Sequence, residues 1–198
     1  MKKEKVLLDY SMHEITRNEL LFNMIYMEIR NHYFITSHVI TYIIEISELF
    51  KGCMFMGIKF ASLEDLEWIN HQYKNVGFVP SDLKKDKVAI ITYNGEYAGL
   101  GRLVYIDQNT IEMGGIYILP KYRGYKLAGD LVSFLVQEAK QSDASHVYCI
   151  PFEELADFYK KYGYKEVNLD QETVHPTIMT KYRWCLQEYE KNVLLFAL

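Results

Sequence analysis

The segment from Thr110 to Gln141 constrains the fold more than any other, because a strand there runs through a short turn directly into a helix. The pattern predicts a strand over 110–119, which Pro120 ends. The apolar residues that follow recur at helical spacing and line one face: Leu127, Leu131, Phe134, Leu135 and Ala139. They predict an amphipathic helix over 124–141.

The rest of the chain alternates predicted strands and helices. Strands are predicted over 53–60, 88–93, 97–106, 145–150 and 193–198. Helices are predicted over 63–74, over 153–162 and from Pro176 onward. The first of these has a capping-box pattern in Ser62 and Asp65, and Asn94–Gly95 predicts a tight hairpin. This mixed α/β order indicates an antiparallel meander that feeds a crossover helix.

The first 52 residues form a different kind of segment. Apolar residues recur at helical spacing between 10 and 50, and Lys51–Gly52 is a plausible helix stop. We therefore expect a helical extension over 1–52 and a second domain over 53–198. The aromatic-rich residues 20–50 fit three roles, of which packing against the sheet is favoured. The other two are a lid over an acceptor site and the face of a homodimer.

Composition excludes several classes of function. The chain has 22 Lys and Arg against 26 Asp and Glu, a formal net charge of −4, which argues against nucleic-acid and anionic-membrane binding. Its three cysteines and six histidines form no metal-binding or disulfide pattern. No apolar run approaches the ~20 residues that a spanning helix needs, and no signal peptide is recognised. We expect a cytoplasmic protein without a metal.

The turn at 120–126 is suited to binding phosphate. The first N–H groups of a helix lack partners and carry the positive end of the helix dipole, so a strand–turn–helix junction can hold a pyrophosphate. Arg123 and Lys126 would add positive charge. An ordinary turn with an arginine facing water explains the same residues, and the turn alone does not decide between the two.

Two motifs together resemble the GNAT family of acetyl-CoA-dependent N-acetyltransferases. The family pattern V-x-P-x-x-R-G-x-G-x-G/A corresponds to residues 118–128, which read ILPKYRGYKLA. A second family pattern, an alanine shortly before F/L-Y-x-x-x-G-F, corresponds to residues 156–164, which read ADFYKKYGY. The resemblance covers about residues 54–198. It implies a central mixed, mostly antiparallel sheet flanked by helices, and transfer of an acetyl group to a primary amine.

The chain departs from the family pattern at two positions. Lys126 stands where a glycine is usual, and Glu153 stands where many members have asparagine. The Lys126 side chain either hinders close approach of the phosphate or turns outward and pairs with it. Either way its backbone N–H remains available.

The resemblance implies an acetyl-CoA site with these residues: Ile116, Tyr117, Ile118, Arg123, Gly124, Tyr125, Lys126, Leu127 and Ala128. In the family, the fourth strand parts from the fifth, and a backbone N–H near Tyr117 or Ile118 would stabilise the oxyanion.

The same resemblance supplies an acid and a base. Tyr159 occupies the position of the tyrosine that protonates the leaving thiolate, with a packing role as the alternative. Glu112 is the candidate base, and its alternative is an exposed strand glutamate facing water. Glu153, Glu154 or a water chain are the fallback bases.

Two functions of different classes follow from the sequence. The first is an N-acetyltransferase that acts on an amine-bearing small molecule or peptide by direct attack in a ternary complex. The second is a non-catalytic acyl-CoA-binding module that acts through protein contacts. The presence of both Glu112 and Tyr159 favours the enzyme.

Overall fold

The computed structural model describes residues 56–198. They divide between two units, the larger formed by Ile58–Ile91 with Tyr97–Leu198 and the smaller by the remaining described residues. The helical extension predicted over 1–52 lies outside the described residues. In the smaller unit, Asn94 and Gly95 have φ of 52° and 79°, as the predicted hairpin turn requires.

A mixed sheet forms the centre of the fold. Its strands are β1 Met56–Phe60, β2 Asp86–Tyr93, β3 Glu96–Tyr105, β4 Thr110–Ile118, β5 His146–Cys149, β6 Lys165–Glu166 and β7 Phe196–Ala197. Their order is β1-β2-β3-β4-β5-β7-β6. Strands β3 and β4 are antiparallel, β4 and β5 parallel, and β7 is antiparallel to both β5 and β6. The predicted mixed, mostly antiparallel sheet is confirmed.

Four α-helices are described: α1 Leu66–Asn75, α2 Leu127–Gln141, α3 Ala156–Lys160 and α4 Pro176–Glu188. A short 3-10 turn precedes α1, and the predicted capping box forms there, with the Ser62 N–H donating to Asp65 Oδ2 at 2.8 Å. Helix α4 begins at its proline, where His175 Nδ1 accepts from the Thr177 N–H at 3.2 Å. None of the helices between residues 56 and 198 is long and apolar enough to cross a membrane.

The helices cover both faces of β3 and β4. Arg102 pairs with Gly114 and Val104 with Glu112, so these side chains share one face of the sheet. Tyr73 of α1 stacks on Arg102, and α4 contacts Glu112, which places α1 and α4 on that face. Gly101, the neighbour of Arg102, faces Leu131 and Leu135 of α2 on the other side.

Two apolar clusters anchor the helices on the shared face. The cluster under α1 consists of Ile69, Tyr73, Val88, Ile90 and Leu100. The cluster under α4 consists of Tyr148, Val167, Val174, Ile178 and Leu195. The strand predicted over 193–198 shortens to β7, because Val193 forms only an isolated bridge with Phe152.

Candidate active site

Strands β4 and β5 part from each other after three residue pairs. Their parallel register joins Thr110–Glu112 to His146–Tyr148, and within the described residues it goes no further. Strand β4 continues to Ile118 beside β3 alone, while β5 ends at Cys149. The backbone groups of β4 beyond Glu112 therefore face a gap on the β5 side, as the family resemblance predicts.

A bulge in β4 accompanies this parting. Leu100 pairs with Tyr117 and Arg102 with Gly114, so Gly101 lies opposite both Gly115 and Ile116. An extra residue in one strand bends that strand and raises its local twist. Gly115 has φ +63°, a left-handed conformation that glycine adopts without strain. The bulge thus bends β4 at the residues that border the gap.

The turn after β4 has an unusual backbone. A 3-10 turn over Pro120–Tyr122 is followed by Gly124 with φ +90° and Lys126 with φ +64°. A residue with a positive φ cannot be part of a right-handed helix. The helix α2 therefore begins after Lys126, at Leu127, and not at 124 as predicted. Lys126 therefore adopts the conformation that suits the glycine of the family pattern, at a cost of about 1–2 kcal/mol for a residue with a Cβ.

The N-terminus of α2 presents free backbone donors. Within the helix, the Gly129 N–H bonds to Lys126 O at 2.9 Å, while the N–H groups of Leu127 and Ala128 have no acceptor among the described residues. The turn residues Arg123 to Lys126 are exposed. Arg123 Nε donates to Ile118 O at 3.2 Å, which joins the turn to the end of β4. This arrangement is suited to an anion beside the gap.

Glu112 lies at the point where β4 and β5 part, and its side chain is only 7 % exposed. The alternative of an exposed strand glutamate is therefore wrong. Its Oε1 accepts a hydrogen bond from Lys181 Nζ of α4 at 2.5 Å, and the lysine side chain is 42 % exposed. A Cβ on Gly114 would lie 3.2 Å from the same oxygen, so the carboxylate extends over a position without a side chain.

Lys181 is a site residue that sequence reasoning missed. It is 69 positions from Glu112 along the chain, on a helix predicted only from its apolar spacing. No local pattern near Lys181 signals a carboxylate partner. Only the packing of α4 on the sheet brings the two together.

Tyr159 lies in the short helix α3, which follows β5 along the chain. Its ring is buried and meets Phe158 and Tyr164 edge-on, with centroids 5.1 and 6.0 Å away. Burial, and secondarily the neighbouring Cys149, raises the pKa of Tyr159 well above its ordinary value. The hydroxyl therefore holds its proton at neutral pH and can act as a donor.

Cys149 is a buried free thiol. It is the last residue of β5, and burial followed by the charge of Glu112 raises its pKa. The same thiol contributes, after burial, to the raised pKa of Tyr159. A thiol with a raised pKa is a poor nucleophile, so Cys149 acts as a small buried side chain.

The fallback bases have other partners at the surface. Asn192 Nδ2 donates to Glu153 Oε2 at 3.0 Å, and Lys191 Nζ donates to Glu154 Oε1 at 2.7 Å. Both contacts are exposed, unlike that of Glu112. Across residues 56–198 no group of three or more His, Cys, Asp or Glu side chains is placed to hold a metal ion.

Several solved structures share this fold. N-acetylglutamate synthase from Neisseria gonorrhoeae, complexed with coenzyme A and L-arginine, matches with a TM-score of 0.54 and 13 % identity. The match covers 71 % of this chain and 32 % of the synthase, so the chain spans about a third of that protein's length.

Two smaller proteins match over nearly their whole length. Spermidine N-acetyltransferase from Vibrio cholerae, in complex with CoA and spermine, gives a TM-score of 0.52 at 13 % identity and covers 72 % of this chain and 94 % of its own. The ribosomal-protein-S18-alanine N-acetyltransferase from Escherichia coli gives a TM-score of 0.52 at 16 % identity. That match covers 73 % of this chain and 93 % of the Escherichia coli protein. At these identities the matches establish the fold.

A family comparison extends this result from fold to membership. No curated protein matches the chain significantly by sequence. The model of the acetyltransferase (GNAT) family matches residues 43–164, which is more than half of the chain. That range contains β4, the turn, α2 and α3. The chain therefore belongs to the GNAT family of acetyltransferases.

Proposed function

We propose that the chain transfers an acetyl group from acetyl-CoA to a primary amine by direct attack in a ternary complex. The observation that carries the proposal is the gap between β4 and β5. Glu112 is the last residue of β4 that pairs with β5, Tyr159 follows β5 in α3, and the turn before α2 lies beyond the end of β4. Residues 53–198 would form the catalytic domain, and 1–52 a helical extension to it.

The turn and the end of β4 would hold acetyl-CoA. The N–H groups of residues 124–128 would donate to the pyrophosphate, with Arg123 and Lys126 adding charge. The backbone of Ile116, Tyr117 and Ile118, which no longer pairs with β5, would bind the pantetheine amides. Bound in this way, acetyl-CoA supplies the thioester on which the amine acts.

The side chains around the gap divide the proton transfers between them. Glu112, directly or through water, would accept the proton of the attacking amine. A backbone N–H near Tyr117 or Ile118 would stabilise the oxyanion. As the carbon–sulfur bond breaks, Tyr159 would give its proton to the departing thiolate. The products are an N-acetyl amide and CoA.

The acceptor class follows from this chemistry and from the relatives. Structural relatives are named for spermidine, for the alanine of a ribosomal protein and for N-acetylglutamate, all of which point to amine acetylation. A small amine or a peptide amine therefore fits the proposal for this chain.

A thiol-release assay tests the proposal. Acetyl-CoA is incubated with the protein and a panel of polyamines, amino acids and peptides, and free CoA thiol is measured with product mass as a second readout. Amine-dependent thiol release with formation of the acetylated amine supports the enzyme. CoA binding without release above the rate of hydrolysis supports the acyl-CoA-binding module instead.

A further inference from the structure

The ion pair between Glu112 and Lys181 is asymmetric in its exposure. The carboxylate is enclosed by the sheet and by α4, whereas the ammonium comes from a helix side chain that remains 42 % exposed. An ionised carboxylate in such a place requires a cation, because leaving it unpaired costs several kcal/mol. The lysine, by contrast, can swing into water on its flexible stem at little cost.

No other described cation is available to Glu112. Arg102, on the same face of the sheet, already contacts Asp86 at 3.3 Å and Ser81 at 2.9 Å through Nη1. The other titratable groups near Glu112 are Tyr148 and Cys149 of β5 and Cys185 of α4, whose pKa values burial raises, so all three are neutral. Whatever displaces Lys181 must therefore bring its own positive charge.

The Glu112 carboxylate lies beside the residues of β4 that no longer pair with β5. Glu112 Oε1 extends over Gly114, and the next residue, Gly115, forms the bulge. Gly114 has no side chain there, whereas the space against Gly115 is filled by Tyr73. A small cationic group that replaces the Lys181 ammonium would therefore meet the carboxylate over Gly114, beside the segment of β4 that no longer pairs with β5.

We propose that Lys181 occupies the position of the acceptor's ammonium group at Glu112 and is displaced when the acceptor binds. This inference rests on the proposed function and deepens it, because it selects amines that are protonated at neutral pH. The acceptor would enter as a cation, exchange with Lys181, and then lose its proton to Glu112. Lys181 is thus a positioning residue that competes with the acceptor.

Kinetics with n-butylamine at saturating acetyl-CoA provide the first test. Lys181→Met removes the competitor, so KM for n-butylamine should fall about 2- to 5-fold while kcat stays within experimental error. Lys181→Arg keeps the cation and should retain the wild-type KM and kcat.

Lys191→Met is the matched control, because Lys191 forms an exposed pair with Glu154. It should leave KM and kcat for n-butylamine unchanged. If Lys181→Met does not fold, Lys181→Gln replaces it. An unchanged or higher KM in the neutral Lys181 variant would overturn the proposal. That result is expected if the Lys181–Glu112 ion pair only stabilises the fold, because its loss would then not improve acceptor binding.

A second measurement does not depend on turnover. With ¹³C-labelled glutamate carboxyls, the Glu112 signal is assigned by its loss in Glu112→Gln, and n-butylamine is titrated into wild type and Lys181→Met. Tighter binding at this signal in Lys181→Met supports the proposal even if no amine is acetylated and the proposed function fails. Equal or weaker binding overturns it.

Discussion

The hydroxyl of Tyr73 lies against the backbone of Gly115, so closely that a Cβ on that glycine would be 2.7 Å from Tyr73 Oη. Tyr73 is fully buried, and its hydroxyl is the one fully enclosed side-chain polar atom without a hydrogen-bond partner among residues 56–198. Helix α1 thus presses an unpaired donor against the bulge of β4. A buried hydroxyl in this state is destabilising.

Tyr73→Phe should stabilise the protein by about 1 kcal/mol, because it removes an unpaired buried hydroxyl and keeps the ring. The free energy of unfolding from urea denaturation measures this. Tyr97→Phe is the matched control, since the Tyr97 hydroxyl donates to Asp65 Oδ1 at 2.5 Å. That variant should lose about 1.5–3 kcal/mol, the range for bonds to charged groups. Any loss of stability in Tyr73→Phe would contradict the assignment.

Lys126→Gly should be more stable than Lys126→Ala by about 1 kcal/mol. Both variants remove the ammonium, and only glycine relieves the left-handed conformation at φ +64°. Thermal or chemical unfolding of the pair isolates the backbone effect from the charge. Equal stabilities would show that the turn does not hold this conformation in solution.

Arg123→Ala should weaken CoA binding by about 1–3 kcal/mol, the range for a charge-assisted hydrogen bond. Isothermal titration calorimetry with CoA measures it. Lys140→Ala, which removes a cation at the opposite end of α2, serves as the control and should leave the affinity unchanged. Equal CoA affinity in Arg123→Ala and wild type would refute the role of the turn.

Tyr159→Phe should lower the rate of transfer about 10²- to 10⁴-fold, because it removes the proposed acid and leaves the ring in place. CoA affinity should change little. Since burial raises the pKa of Tyr159, the wild-type enzyme should keep this donor protonated beyond the pH at which an ordinary tyrosine ionises. Full turnover in Tyr159→Phe would show that Tyr159 is a packing residue and not the acid.

Glu112→Gln should remove the base and keep the shape of the side chain. Transfer should then recover only at high pH, where a growing fraction of the acceptor amine is already deprotonated. The pH dependence of kcat/KM measures this, with Glu154→Gln as the comparison because Glu154 is an exposed fallback base. A profile that does not move in Glu112→Gln would assign the proton to a water chain or to Glu153 and Glu154.

The predictable parts of the fold are those with local causes. The capping box at Ser62 and Asp65, the hairpin at Asn94–Gly95 and the strand–proline–helix order all depend on neighbours in sequence, and all form. The predicted start of α2 is wrong by three residues, because no sequence feature indicates that Lys126 adopts a positive φ. Glycine is the usual sign of that conformation.

The parts of the site that could not be predicted depend on packing between distant elements. Lys181 meets Glu112 across 69 positions, and Tyr73 meets Gly115 across a helix-to-sheet contact. The bulge does have a sequence signal, because adjacent glycines at 114 and 115 within a strand indicate a bulge. The bulge would have located the bend in β4, although not the residues that surround it.

Unpaired strand edges normally occur only at the two outer strands of a sheet. Because β4 and β5 part, this sheet also has an unpaired edge between two of its inner strands. An edge is a template for one more strand. If the pantetheine chain takes that place, acetyl-CoA becomes a removable part of the sheet, and the folding equilibrium depends on its concentration. The amount of native protein would then follow the supply of acetyl-CoA.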